Sequence, residues 1–120
     1  MRWLALCLVL VAGDAFGGEV YKNGNELLAH CTAERKQPMS STDYMDDAHC
    51  VGYLTAIHDG YATWRGWGDI SSDQYCMPDG VTVGQLGRIV VKWLEANPEH
   101  LHYSAGTSVL NAYQEAFPCR

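Results

Sequence analysis

Four cysteines constrain this chain more than any other feature. Cys31, Cys50, Cys76 and Cys119 remain once the first fifteen residues, which carry Cys7, are set aside. Those first residues read as a secretory signal: Arg2 is a positive charge, Trp3 to Ala12 is apolar, and Gly13-Asp14-Ala15 leads to an expected cut after Ala15. The apolar run is only about half a bilayer span, so no stable membrane insertion is expected after signal removal. An even set of cysteines in an exported chain is normally a set of disulfides. Four cysteines allow three pairings. We expect Cys31 with Cys50, joining the first two helices, and Cys76 with Cys119, tying a long loop to the C-terminus.

Residues 16–120 are of a length for one domain, with a core modest enough to need such staples. Setting aside Arg2 and Asp14 leaves seven Lys/Arg and thirteen Asp/Glu, a net charge near −6 with histidine neutral. Nucleic acid and anionic membrane surfaces are poor partners for such a chain, and a basic protein surface suits it better.

Local signals point to an all-α fold, a small bundle of about four helices stapled by two disulfides. Asn23 with Glu26 three residues on predicts a capped helix from Gly24 to about Glu34. Thr42 or Asp43 caps a second, running to about Trp64, with Tyr44, Ala48, Val51, Leu54 or Thr55, His58 and Tyr61 at core-facing spacing and Cys50 and Ile57 on its flank. Gly52 and Gly60 lie inside it, where a glycine often admits a close neighbour. Thr82 and Gln85 start a third helix, Val83 to Ala96, with Leu86, Ile89, Val90, Trp93 and Leu94 on one face. Asn97-Pro98 stops it and starts a fourth, running to about Ala116, with Leu101, Ala105, Val109, Ala112, Tyr113 and Ala116 inward.

Catalysis finds little support. His49 and His58 lie on nearly opposite sides of the second helix, and His58 and Asp59 point about 100° apart, so neither pair makes a relay or a metal site. HExxH, GxSxG and a phosphate loop are all missing. No enzyme activity, cofactor or metal is expected. His58, on the apolar stripe, reads as a hydrogen-bonded, partly buried histidine.

The segment Arg65 to Gly80 reads as a long loop, with Gly66, Gly68, Pro78 and Gly80 among aromatic residues. Trp64, Trp67 and Tyr75 are of the types that dominate interface energetics. With Arg65, Asp69 and Asp73 they form the expected partner-binding set. A stapled helical scaffold presenting such a loop suits a protein that binds another protein.

The chain carries Gly24-Asn25-Glu26-Leu27-Leu28 before Cys31, Cys50-Val51-Gly52-Tyr53-Leu54 before Asp59-Gly60, and Cys76-Met77-Pro78-Asp79-Gly80-Val81-Thr82-Val83-Gly84-Gln85. It then carries Val90-Val91-Lys92-Trp93-Leu94, Asn97-Pro98-Glu99 and a closing Phe117-Pro118-Cys119. In this order they resemble the Rap1a/Tai immunity protein family. The resemblance implies a small helical, often dimeric protein of the periplasm that neutralises a peptidoglycan amidase delivered by type VI secretion. It also implies occlusion of the enzyme's cleft by a loop, here by position Arg65 to Tyr75. A different expectation, a periplasmic stress or chaperone-like protein that holds exposed apolar segments, suits the same composition.

Overall fold

The computed structural model describes residues 23–70 and 73–120; the signal read at 1–15 lies outside them. The described residues form four α-helices and two 3₁₀ turns, with no strand among them. Helix α1 spans Gly24–Cys31, α2 Ser41–Trp67, α3 Val83–Ala96 and α4 Ala105–Ala116. α1 packs on α2 and α3, and α3 packs on α4. The core between them holds Leu27, Leu54, Val90, Leu94, Val109 and Tyr113, all fully buried. Both disulfides have the expected pairing: Cys31–Cys50 links α1 to α2, and Cys76–Cys119 closes the chain's end onto the segment before α3. Each is worth about 2–4 kcal/mol, largely through the unfolded chain.

The helix starts follow local capping chemistry. Asn23 accepts from the Glu26 amide at 3.2 Å, and Thr82 accepts from the Gln85 amide at 3.2 Å. α1 stops three residues short of expectation, at Cys31, and a 3₁₀ turn at Ala33–Arg35 takes over. Thr32 caps its end, the hydroxyl and the backbone amide both donating to the Leu28 carbonyl, at 2.7 and 3.1 Å. Gly24 opens α1 where a side chain has little room. A Cβ there would lie 3.1 Å from Leu94 Cδ2 and 3.2 Å from the Leu101 carbonyl oxygen.

α2 begins earlier than the sequence reading placed it. Ser40 is the cap, and Asp43 is its partner three residues on, in a reciprocal capping box. Asp43 is buried and receives three donors: Lys36 Nζ at 2.6 Å, Ser40 Oγ at 2.7 Å and the Ser40 amide at 2.9 Å. The Lys36 ammonium, followed by the Ser40 hydroxyl and amide, holds its carboxyl at about 2 rather than the usual 3.8. A carboxyl held down in the folded state stabilises fully above its unfolded pKa and loses that contribution as pH falls toward its folded pKa. Urea titrations should therefore show stability falling between about pH 4 and pH 2. Asp43→Asn should lower stability at neutral pH and flatten that acid limb. An unchanged limb would mean that Asp43 is not ionised in this box.

The inward stripe of α2 is also different. Cys50 and Leu54 are buried, with Tyr53, Ile57, His58 and Tyr61 half-buried beside them, whereas Tyr44, Ala48 and Val51 face outward. The helix axis is rotated relative to the expected face because the disulfide at Cys50 sets which side meets α1. Gly52 and Gly60 admit no close neighbour, since nothing lies within 4 Å of a Cβ at either position.

The expected fourth helix is broken. Pro98–His100 forms a 3₁₀ turn, and α4 starts only at Ala105, where Ser104 accepts from the Thr107 amide at 3.2 Å. The intervening carbonyls are used elsewhere: Leu101 O accepts from the Asn25 amide at 3.2 Å and Tyr103 O from the Gly24 amide at 3.0 Å. These are the first amides of α1, which have no partner inside their own helix. His100 stacks between Trp93 and Tyr103, at 5.9 and 4.8 Å between ring centroids, and holds the turn over the core. Leu101 is consequently only half-buried, and Ala116, expected inward, is exposed.

Candidate protein-binding site

α2 outreaches the helices beside it. Its 27 residues span roughly 40 Å, against roughly 21 Å for the 14 of α3 and 18 Å for the 12 of α4. Every residue from Ala62 to Trp67 is exposed. Trp64 and Trp67 sit three apart, so they share a face of this overhang. Their rings meet edge to face at 6.1 Å, and the side chains are 53% and 73% exposed. Two tryptophans in contact on an uncovered helix end form an apolar patch, unlike the single exposed apolar residues that any surface carries.

The overhang ends on Gly68, whose φ of +82° is the left-handed conformation that a glycine adopts without strain. The Gly68 amide donates to the Arg65 carbonyl and the Asp69 amide to the Trp64 carbonyl, each at 3.0 Å. Arg65, read from the sequence as the first loop residue, is thus the last full turn of the helix. It forms an ion pair with Asp73. Both partners are about half exposed, so the pair positions the segment more than it stabilises the fold. Asp69 is exposed beside the tryptophans.

Beyond Asp73 the chain turns back into the core. The Gln74 amide donates to Tyr61 Oη at 2.9 Å, and the Cys76 amide to the Phe117 carbonyl at 2.8 Å. Tyr75 is 2% exposed. Its ring stacks on Tyr61 at 4.4 Å and meets Tyr113 edge-on at 5.3 Å, and its hydroxyl pairs with His58 Nδ1 at 2.9 Å. Burial, and secondarily Tyr61, pushes the Tyr75 hydroxyl up out of its ordinary range. Tyr75 was expected among the binding residues; the fold instead uses it to anchor the segment, and it offers almost no surface. His58 has the hydrogen-bonded, half-buried setting expected of it.

A family model for the Rap1a immunity proteins matches residues 23–119. The chain belongs to the Rap1a immunity proteins. No curated protein and no solved structure matches it. The matched range takes in all four helices, both disulfides and the aromatic overhang. Membership in this family places the protein among immunity proteins.

Of the six binding residues expected from the sequence, Trp64, Arg65, Trp67, Asp69 and Asp73 lie together at one end of the bundle, and Tyr75 beneath them. A groove of about 550 Å³ lies elsewhere, between α2 and α3, with Asp47, Val51, Arg88 and Lys92 in its walls. Its charges are of both signs, so it selects no single class of ligand. One cluster escaped the sequence reading altogether: His30 of α1 lies against Asp46 and His49 of α2. The signal for it was the pair of cysteines, since each of the two histidines immediately precedes a cysteine of the same disulfide.

Proposed function

We propose that this protein is a periplasmic immunity protein that binds a peptidoglycan amidase and occludes its cleft through the overhanging end of α2. The observation that carries the reading is the exposed Trp64–Trp67 pair on two unsupported helical turns, held by the Arg65–Asp73 ion pair over a rigid, disulfide-bound base. Large amphipathic rings on a pre-ordered support lose little conformational entropy on binding, which favours tight association. Asp69, Asp73 and the net negative charge suit a basic rim around the cleft and speed encounter with it. Inhibition by occlusion needs no chemical step. The disulfides and the signal read at Met1–Ala15 support export, and residues 16–120 act as the mature unit, as a homodimer.

Affinity capture on the oxidised protein, followed by an assay of the captured enzyme on purified peptidoglycan, tests this. One folded amidase should be retained in stoichiometric amount, and its hydrolysis should be abolished near equimolar protein. A broad, weakly held set of clients that grows when the extract is unfolded would replace this reading with a chaperone-like one.

A further inference from the structure

The Cys31–Cys50 disulfide does more than join α1 to α2. Each of its cysteines follows a histidine, so the bridge brings His30 and His49 together, with ring centroids 6.0 Å apart and the planes tilted by 34°. Asp46 stands one turn before His49 on α2, which puts both side chains on one side of that helix. Its Oδ1 is 3.6 Å from His30 Nε2. One ligand atom from each of the three residues lies within 4.8 Å of the others. We propose that His30, Asp46 and His49 form a binding site for a divalent transition-metal ion of the zinc class.

Donor chemistry and geometry both favour that class. Two imidazoles and one carboxylate suit zinc, which takes such ligands at about 2.0–2.2 Å in a tetrahedral arrangement. Tetrahedral ligands at that bond length are roughly 3.3 Å apart, so closure asks for side-chain rotations that bring the ligand atoms together by up to about 1.5 Å. The backbones need not move, because the disulfide already sets the two helices at a Cα–Cα distance of 5.1 Å across Cys31 and Cys50. His30 and Asp46 are each about a fifth to a quarter exposed and His49 is exposed, which leaves the fourth position open to water or to a ligand atom from a partner. Asp46 neutralises part of the ion's charge, and neighbouring Asp47 adds to the local negative potential. A second cluster, Asp73 with Cys76 and Cys119, lacks this chemistry because both sulfurs are tied in a disulfide and neither is a thiolate.

The site lies some 18 residues along α2 from Trp67, roughly 27 Å on a straight helix, so it is separate from the aromatic overhang. A bound ion would cross-link α1 and α2 beside the disulfide and raise the stability of the folded, oxidised protein.

The experiment is calorimetric titration of the tag-free, oxidised protein with Zn²⁺, with Co²⁺ absorbance as a second probe of coordination. One equivalent should bind, and Co²⁺ should give the intense visible bands of a tetrahedral site. His30→Ala and His49→Ala should each weaken binding by about tenfold or more, while His102→Ala, at an exposed histidine outside the cluster, should leave it unchanged. Zn²⁺ should raise the melting temperature of the parent but not of His49→Ala, a substitution at an exposed position that leaves the fold intact. Absence of saturable binding by the parent, or binding that survives in the His30→Ala/His49→Ala double variant, would overturn the proposal.

Discussion

Tyr75→Ala is expected to destabilise the protein by about 3–5 kcal/mol, the cost typical of deleting a buried aromatic ring. For a chain of this size that lowers the melting temperature by more than about 10 °C. The ring is almost wholly enclosed, and it is the point at which the segment after α2 rejoins the core. It lies against Tyr61 of α2 and Tyr113 of α4, whose own hydroxyl donates to the Leu54 carbonyl at 3.3 Å. Removing Tyr75 therefore opens a cavity between two helices and leaves the His58 ring without its hydroxyl partner. Tyr75→Phe separates the two effects: it keeps the ring stack, loses the hydrogen bond, and should cost only about 0.5–1.5 kcal/mol. Thermal melts and urea titrations of both variants supply the check. A Tyr75→Ala protein that melts within a few degrees of the parent would show that the ring is not part of the core.

Trp67→Ala should do the reverse. With about three-quarters of its surface exposed, the ring contributes little to the fold, and stability should stay within about 0.5 kcal/mol of the parent. Affinity for the amidase should fall by about 2 kcal/mol or more, roughly a 30-fold rise in Kd, because tryptophan at the centre of an interface is among the most costly residues to truncate. Trp64→Ala should weaken binding in the same direction, and the double variant should lose less than the sum of the two, since the rings touch each other at 6.1 Å. Calorimetry with the captured amidase reads these changes directly. If both variants bound like the parent, the aromatic overhang would not be the inhibitory surface. Tyr75 and Trp67 are eight positions apart and chemically alike, yet one should act on folding alone and the other on binding alone.

That contrast was invisible in the chain. A tyrosine among glycines and aspartates reads as exposed, and only the return of the 73–76 segment against Tyr61 and Phe117 shows that it is interior. Trp64 and Trp67 could be singled out by residue type, but their exposure depends on α2 being longer than its partners, a comparison among three helices. Local signals also stop short of the C-terminal end of α2: Gly66 reads as a loop residue, whereas the helix continues until Gly68 takes up the left-handed cap.

Signals that act over three or four residues were sufficient for much of the rest. The caps at Asn23 and Thr82, the apolar face of α3 and the buried positions Ala105, Val109, Ala112 and Tyr113 follow from local hydrogen bonding and helical period. The cysteine count implied two bridges, and the order of the helices made the observed pairing the expected one. Decisions that needed a distant partner were different in kind. The break at Pro98–Ser104 arises because α1, some 75 residues earlier, takes the carbonyls of Leu101 and Tyr103 for its first two amides. The face that α2 turns inward is set by where the Cys31–Cys50 bridge holds it against α1. By itself the sequence determined the all-helical class, the caps at Asn23 and Thr82, the number of bridges and the family. Tertiary structure decided which side of α2 is buried, which aromatics are left outside, and that His30 meets Asp46 and His49. Those outcomes depend on surfaces that exist only once helices remote in the chain have packed together.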